Sequence, residues 1–221
     1  LAGAGPALWG AYTWGSHLLT VGSIWRGARD RRAIALTFDD GPDPEWTPRV
    51  LDILDREAVR AAFFLIGRRA RRAPAVARRI AEDGHDLGNH TWSHPSLWRC
   101  GPRETEREIG LGHVAIGEAA GRAPAFFRPP WGKTNLSMFA ALRRAAIPCV
   151  FWTVQPEGRR PVAPDRQAQR GATRVRPGAI YDLHDADGVP GAGARLVEYL
   201  PGLIQRLRAQ GYALVPLRDL L

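Results

Sequence analysis

The sequence predicts a single α/β domain built on a parallel sheet. From Arg32 onward, short apolar runs alternate with helical stretches, and each run is hydrophobic at nearly every position. Strands of that kind are typical of a parallel sheet covered by helices. The connections are short, no proline-rich linker interrupts them, and 221 residues suit one domain of moderate size. An open doubly wound sheet and a closed barrel both fit this pattern.

Seven strands are predicted along the chain, at residues 33–38, 61–66, 86–90, 126–128, 149–154, 179–184 and 213–215. The helices between them are expected at residues 47–58, 74–84, 103–120, 136–146, 162–171 and 194–209. Thr47 and Pro48 provide a cap and a first-turn proline for the first helix, and Gly211 ends the last one. The first strand runs into Asp39-Asp40-Gly41-Pro42, not into a glycine-rich dinucleotide fingerprint. This disfavours a nucleotide-binding Rossmann domain.

The chain is basic, with 31 lysines and arginines against 22 acidic residues and a net charge of +9. Arginines cluster at residues 68–72. We interpret this cluster as a solvated basic turn, with attraction to the membrane or to an anionic envelope polymer as the alternative. No nucleic-acid-binding motif accompanies it, so nucleic acid is not an expected partner. Cys100 and Cys149 are too few for a disulfide-rich scaffold, and the sequence leaves open whether they pair.

Residues 1–31 are expected to form a lead-in segment ahead of the α/β domain at residues 32–221. The first 25 residues carry no formal charge and contain five glycines. They are too glycine-rich and polar for a convincing membrane span. We expect an extended segment whose tryptophans, Trp9, Trp14 and Trp25, pack on the domain. A remnant of a removed leader or anchor is the alternative.

Polar side chains collect where predicted strands end. The first strand ends in residues 37–42, the third in 89–95, the fourth in 128–132 and the sixth in 182–185. In a parallel α/β barrel, the carboxyl ends of the strands meet at one rim, where active sites are built. The sequence therefore predicts that these four ends form one site.

A metal site is predicted at this rim. His90 and His94 lie in a loop at a strand end, and one carboxylate from the Asp39-Asp40 pair would complete a three-ligand site. Such a site keeps an open position for water, as a catalytic zinc requires. Adjacent carboxylates repel each other, so we expect the other to pair with Arg128, whose guanidinium can hold it bidentately. Taken alone, the histidine pair is weak evidence, and Asp-Asp-Gly-Pro also suits an ordinary turn.

These motifs resemble a known family. Residues 37–41 (Thr-Phe-Asp-Asp-Gly), His90-x-x-x-His94, residues 128–132 (Arg-Pro-Pro-Trp-Gly) and Leu183-His184 occur in order. Together they resemble the NodB-homology polysaccharide deacetylases of carbohydrate esterase family 4, over residues 32–220. The resemblance implies a distorted seven- or eight-stranded (β/α) barrel that hydrolyses N-acetyl groups of amino sugars.

The resemblance also implies roles for individual residues. Asp40, His90 and His94 correspond to the ligands of one divalent metal ion, with Zn²⁺ expected and Co²⁺, Ni²⁺ or Mn²⁺ as alternatives. Asp39 corresponds to the general base and His184 to the general acid.

Two further positions are implied by the fourth-strand motif. Arg128 corresponds to the residue that orients the base. Trp131 corresponds to an aromatic residue whose backbone N–H helps to hold the oxyanion.

The chain departs from the family pattern after the fifth strand, where Gln155 stands at the position of an expected acid. We predict that Glu157 replaces the acidic group that steadies the catalytic histidine. The alternative is an ordinary loop acid.

The second departure is Asp182, where the family has an apolar residue that lines the acetyl pocket. Side chains alternate along a strand, so Asp182 and His184 should face the same side. Asp182 is then expected to hydrogen-bond His184 or Arg128, or to indicate a different acyl group or sugar. A bulge that turns it away is the alternative.

The predicted function is metal-dependent removal of N-acetyl groups from an envelope glycan such as peptidoglycan or a chitin-like polymer. The alternatives are a lipid-linked amino-sugar deformylase, a small-molecule amidase on the same fold, and a catalytically silent glycan-binding module. The expected partner is an N-acylated glycan. The expected location is the bacterial cell envelope or outside the cell, with an intracellular location as the alternative.

Overall fold

The computed structural model describes residues 4–13, 15–16, 22–158, 162–186, 188 and 190–221. Its strands are β1 (Ala33–Asp39), β2 (Ala62–Leu65), β3 (Asp86–Asn89), β4 (Phe126–Phe127), β5 (Ile180–His184) and β6 (Ala213–Leu214). Its α-helices are α1 (Ala4–Thr13), α2 (Trp46–Arg56), α3 (Gly67–Arg72), α4 (Pro74–Glu82), α5 (Pro102–Ala120), α6 (Leu136–Ala145), α7 (Pro164–Thr173), α8 (Ala192–Ala209) and α9 (Leu217–Leu220).

The strands form a parallel sheet that closes into a distorted barrel. Its order is β4-β3-β2-β1-β5, and β6 pairs with the start of β1. Residues 149–154 close the ring, since Cys149 bridges to Phe127 of β4 and Val154 bridges to Tyr181 of β5. The α/β barrel class expected from the sequence is confirmed.

The predicted strand at residues 149–154 is wrong as a regular strand, because only isolated bridges join this segment to its neighbours. The buried side chain of Arg128 donates hydrogen bonds to the carbonyl oxygens of Val150 and Phe151, each at 3.1 Å. These oxygens bind a side chain, so the segment cannot continue a regular strand ladder.

The two faces of each strand serve different purposes. The outward row of β1 packs in the core beneath the helices: Ile34, Leu36 and Phe38. The inward row begins with Ala33 and Ala35, which pack in a second, smaller cluster. Because side chains alternate along a strand, Thr37 and Asp39 continue this inward row at the carboxyl end of β1. The barrel interior therefore changes from apolar to polar toward that end.

The arginine cluster at residues 68–72 is helical, so the expected basic turn is wrong. Helix α3 begins against the loop that follows β3, where the N–H groups of Gly67 and Arg68 donate to the carbonyl oxygens of Thr91 and Trp92. These bonds satisfy N–H groups that a helix start leaves unpaired. The guanidinium of Arg71 also lies 4.5 Å from the ring centroid of Trp92.

The lead-in differs from the expected extended segment, because residues 4–13 form helix α1. Its Trp9 donates from Nε1 to the carbonyl oxygen of Trp98 at 3.0 Å. Trp25 stacks on Phe151 with ring centroids 4.0 Å apart. Trp14 lies outside the described residues. Among the helices of the described part of the chain, none is long and apolar enough to cross a membrane.

The two cysteines do not pair with each other. Cys100 and Cys149 are buried free thiols that belong to one apolar cluster with Phe127 and Met138.

Helix α5 packs closely on the β3 loop through Gly112. A Cβ atom at Gly112 would lie 2.5 Å from Oδ1 of Asn89 and 2.7 Å from the backbone carbon of Thr91. We expect Gly112→Ala to lower the free energy of unfolding by about 1–3 kcal/mol, because it overpacks this contact.

Urea unfolding of both glycine variants of α5 tests this expectation. Gly110 lies on the exposed side of the same helix, and a Cβ atom there meets nothing within 4 Å. We expect Gly110→Ala to raise stability by up to about 1 kcal/mol. Equal effects of the two substitutions would contradict the close contact.

Candidate active site

The polar layer of the barrel interior is organised by strand register. Asp39 of β1 pairs with His184 of β5, and Thr37 pairs with Asp182 two residues deeper in the barrel. Arg128 follows β4 and is fully buried. The predicted strand ends therefore meet at one rim, around a cavity of about 250 Å³.

Asp40, His90 and His94 form a group that could hold a metal ion. One ligand atom from each residue lies within 4.8 Å of the other two. Nε2 of His94 is 3.0 Å and Nε2 of His90 is 3.6 Å from Oδ1 of Asp40. Oδ1 of Asp40 is buried and has no hydrogen-bond partner among the described residues. Such an atom is costly without a partner, and a cation between these side chains would supply one.

The protonation states of two of these side chains also suit metal binding. Nδ1 of His90 lies 2.7 Å from the carbonyl oxygen of Arg128, which can only accept, so Nδ1 carries the proton and Nε2 keeps its lone pair. Burial lowers the pKa of His90 to about 4, so the ring is neutral at pH 7. Burial alone would raise the pKa of Asp40, but the close approach of His94 Nε2 and the charge that the neighbouring imidazoles carry when protonated hold it well below its ordinary value. A deprotonated carboxylate and a neutral imidazole are the forms that bind a metal.

The site is held by unusual backbone geometry. Asp40, Thr91, His94 and Trp131 all adopt positive φ angles, between 54° and 74°. This left-handed region is unfavourable for residues other than glycine, and such strain concentrates at functional sites. At Asp40 the left-handed backbone points the side chain away from the side expected from the alternation along β1. The adjacent carboxylates of Asp39 and Asp40 therefore have different partners.

Arg128 holds Asp39 from inside the barrel. Its Nη1 donates to Oδ1 of Asp39 and to Oγ1 of Thr37, each at 2.7 Å. Its Nε and Nη2 donate to the carbonyl oxygens of residues 150 and 151, and its guanidinium lies 4.0 Å from the ring centroid of Phe64. The expected bidentate contact is wrong, because one nitrogen alone meets Asp39 and the others bind the barrel wall.

His184 is paired with Glu157. Nδ1 of His184 lies 2.5 Å from Oε2 of Glu157, and the His184 backbone N–H donates to Oε1 at 3.3 Å. Tyr199 of α8 donates its hydroxyl to the same Oε1 at 2.7 Å. Burial would lower the pKa of His184, but the hydrogen bond to Glu157 and the charges of Asp182, Glu157 and Asp39 raise it to about 10. The imidazole is therefore protonated at neutral pH.

Asp182 faces the same cavity as His184, and no bulge turns it away. Its Oδ1 lies 3.7 Å from Nη1 of Arg128, beyond hydrogen-bond distance, and has no hydrogen-bond partner among the described residues. The expected hydrogen bond to Arg128 or His184 is therefore not formed by this oxygen. Burial and the charge of Asp39 raise the pKa of Asp182 to about 8.

Aromatic side chains form the cavity rim. The Trp131 ring packs edge-on against His94 with centroids 4.3 Å apart, and Trp131 is 57% exposed. Trp152 and Gln155 also line the cavity.

Some residues of the site carry no recognisable sequence signal. Tyr199 lies 42 residues from Glu157 and looks like an ordinary apolar position of α8. Asp185, the residue after β5, is buried, and its Oδ2 accepts a hydrogen bond from the Thr47 hydroxyl. Gly188 is so close to Asp40 that a Cβ atom there would lie 1.7 Å from Oδ2. Asp187 lies outside the described residues.

The contact between Gly188 and Asp40 predicts a selective loss of metal affinity. We expect Gly188→Ala to displace the Asp40 carboxylate and to weaken the binding of a divalent ion about 10- to 100-fold, as loss of a supporting contact does. Titration of metal-free protein with Co²⁺, followed by visible absorbance, measures this. Gly158→Ala is the control, because a Cβ atom there meets nothing within 4 Å. Equal affinity in both variants would contradict the role of Gly188.

The chain is similar in sequence to glycan deacetylases. The profile of the polysaccharide deacetylase family matches residues 26–150. A chitooligosaccharide deacetylase of Bradyrhizobium sp. (strain ANU 289) is 36% identical over 200 residues, which cover 86% of this chain and 90% of the relative. A peptidoglycan-N-acetylglucosamine deacetylase of Bacillus cereus is 33% identical over 208 residues, which cover 94% of this chain and 75% of the relative.

Solved structures agree with the sequence comparison. The Bc1960 peptidoglycan N-acetylglucosamine deacetylase superposes with a TM-score of 0.86 at 32% identity, over 94% of this chain and 96% of that one. A Bacillus anthracis protein described as a CE4 family pseudoenzyme superposes with a TM-score of 0.81 at 26% identity, over 90% of this chain and 68% of that one. The family profile and these relatives confirm the resemblance, and the chain belongs to the polysaccharide deacetylase family.

Proposed function

We propose that this chain is a metal-dependent deacylase that hydrolyses the N-acetyl group of amino sugars in an envelope glycan, and that it acts in the cell envelope or outside the cell. One observation carries the proposal. A carboxylate held by a buried arginine and a protonated imidazole held by a glutamate face the same cavity as the Asp40-His90-His94 group. The named activities of the relatives support the substrate class.

The donor set of the Asp40-His90-His94 group fits a metal ion with one open position. Two imidazole nitrogens and one carboxylate oxygen suit Zn²⁺ above all, with Co²⁺, Ni²⁺ and Mn²⁺ as alternatives. When bound, such an ion supplies Lewis acidity, which polarises an acyl carbonyl and lowers the pKa of water.

Asp39 is proposed as the general base. Its Oδ2 lies 3.7 Å from Nε2 of His90, so it is beside the ligand group without belonging to it. Arg128 binds Oδ1, which leaves Oδ2 to accept a proton from the attacking water. Arg128 acts as the positioning residue, because it fixes which oxygen of Asp39 is available.

His184 is proposed as the general acid. An amine is a poor leaving group unless it is protonated, so the nitrogen of the broken amide needs a proton. His184 is protonated at neutral pH, and Asp39 lies directly across from it on the neighbouring strand. A base and an acid on the two sides of one amide suit hydrolysis.

The rim suits a sugar chain. The exposed face of Trp131 offers a flat apolar surface on which a sugar ring can stack. Its backbone N–H is proposed to stabilise the oxyanion that forms as water attacks.

A catalytically silent glycan-binding module is the alternative function, because one structural relative is described as a pseudoenzyme. A module that only binds glycans needs neither a base nor an acid. This chain keeps Asp39 and His184, each with its own supporting partner, and this favours catalysis.

The proposal predicts acyl release that depends on both metal and Asp39. We expect purified protein to release acetate from N-acetylated chitooligosaccharides or peptidoglycan fragments, to lose this activity on chelation, and to regain it with Zn²⁺. Asp39→Asn should lower kcat by about 10²–10⁴-fold, because it removes the base. Asp30→Asn, at an exposed position, is the matched control. Absence of release from every substrate by metal-loaded protein would overturn the proposal.

The hydrogen bond between Glu157 and His184 predicts how the pH profile of kcat changes when Glu157 is substituted. Activity should fall as pH rises through the pKa of His184, since the protonated form is the acid. Glu157→Gln removes the charge that raises this pKa, so the alkaline limb of the kcat profile should move about 1–3 pH units lower. Tyr199→Phe keeps the carboxylate and should move it less. An unchanged alkaline limb in Glu157→Gln would contradict the supporting role.

A further inference from the structure

Asp182 is a buried carboxyl group that faces the cavity and that the proposed reaction uses neither as base nor as acid. The residue is 2% exposed, and its Oδ1 has no hydrogen-bond partner among the described residues. Arg128 does not supply one, because its Nη1 bonds to Asp39 and Thr37 and stays 3.7 Å from Asp182. A buried polar atom without a partner costs free energy, and a ligand that brings a donor would recover that cost.

The position of Asp182 indicates which part of a substrate could meet it. Asp182 pairs with Thr37, while Asp39 and His184 pair one layer above. Two residues along a strand correspond to about 6–7 Å, so Asp182 lies below the reacting groups. A cavity of about 250 Å³ is too small to hold a chain of several sugar rings, so the chain is expected to lie along the rim. The acyl substituent is the part of the substrate that can point toward Asp182.

The groups at the deep end of the cavity, Asp182 and Arg128, favour a hydroxyl group on that acyl substituent. A methyl group would leave the carboxyl group of Asp182 without a hydrogen-bond partner. An ammonium group would place another cation beside Arg128 and the protonated His184, where repulsion opposes it. A hydroxyl group both donates and accepts, so it suits the carboxyl group in either protonation state.

We propose that Asp182 selects substrates whose amide carries a 2-hydroxyacyl group, so that the chain hydrolyses N-glycolyl amino sugars in preference to N-acetyl ones. The proposal rests on the deacylase function proposed above and changes only its acyl specificity. Water adds to the glycolyl carbonyl carbon, the C–N bond breaks, and glycolate and the free amino sugar are released. Asp182 acts as a specificity residue by binding the hydroxyl group next to the carbonyl.

A set of three substrates on one chitooligosaccharide backbone tests the proposal. The amino group carries acetyl, glycolyl or propionyl, and propionyl has nearly the size of glycolyl with a methyl group in place of the hydroxyl. For the unmodified chain, we expect kcat/KM for glycolyl to exceed that for acetyl, and to exceed that for propionyl at least about tenfold. A site that hydrogen-bonds a substrate hydroxyl rejects the analogue that lacks it.

Two substitutions separate specificity from positioning. Asp182→Leu should lower the glycolyl-to-propionyl ratio at least about tenfold, because it removes the polar partner. Asp182→Asn keeps a donor and an acceptor and should keep the ratio above one. Thermal unfolding of both variants reports folding, and if Asp182→Leu does not fold, the ratios of the unmodified chain and of Asp182→Asn decide the matter.

The outcomes distinguish this inference from the function on which it rests. Equal kcat/KM values for glycolyl and propionyl in the unmodified chain, or a higher value for acetyl than for glycolyl, would overturn the specificity while leaving the deacylase function in place. An equal loss on all three substrates in Asp182→Leu would make Asp182 a positioning residue for Arg128 and also overturn it. No hydrolysis of any of the three would overturn both.

Discussion

The buried guanidinium of Arg128 is the constraint on which the site depends. A cation inside a barrel must have its donors satisfied and its charge balanced. The chain does this with Asp39, Thr37 and two backbone carbonyl oxygens. The same hydrogen bonds fix the orientation of Asp39 and occupy the carbonyl oxygens of Val150 and Phe151 in the barrel wall. One side chain therefore links the distortion of the barrel to the chemistry at its rim.

Adjacent carboxylates with different surroundings form the centre of the site. Asp39 continues the inward row of β1 and meets a guanidinium, whereas Asp40 turns into a left-handed conformation and meets two imidazoles. The backbone strain at Asp40 separates two groups that would otherwise repel each other. Because their partners differ, the two aspartates cannot exchange roles.

The polar rim could be predicted from the sequence because parallel strands bring their carboxyl ends together. This placed Asp39, Asp40, His90, His94 and His184 near one another without any knowledge of loop conformation. The regular strands and most helices followed from apolar runs and glycines, whereas Thr47 is not the cap expected for α2, because the helix begins one residue earlier, at Trp46.

Other features depend on contacts between distant residues, and no local signal reveals them. The wall at residues 149–154 is irregular because Arg128 takes its carbonyl oxygens. The link from Tyr199 to Glu157 joins an outer helix to the rim, and positive φ angles at Thr91 and Trp131 follow from the assembled site. The arginines of α3 are helical because the β3 loop accepts their first N–H groups.

The segment before the first strand completes the barrel wall. Ile24 bridges to Val150, and the Trp25 ring covers Phe151, whose carbonyl oxygen binds Arg128. A recombinant fragment begun at residue 32 would lack both and would open the wall to solvent beside the guanidinium. Expression boundaries for this enzyme should therefore be set upstream of residue 24, even though the recognisable motifs start later.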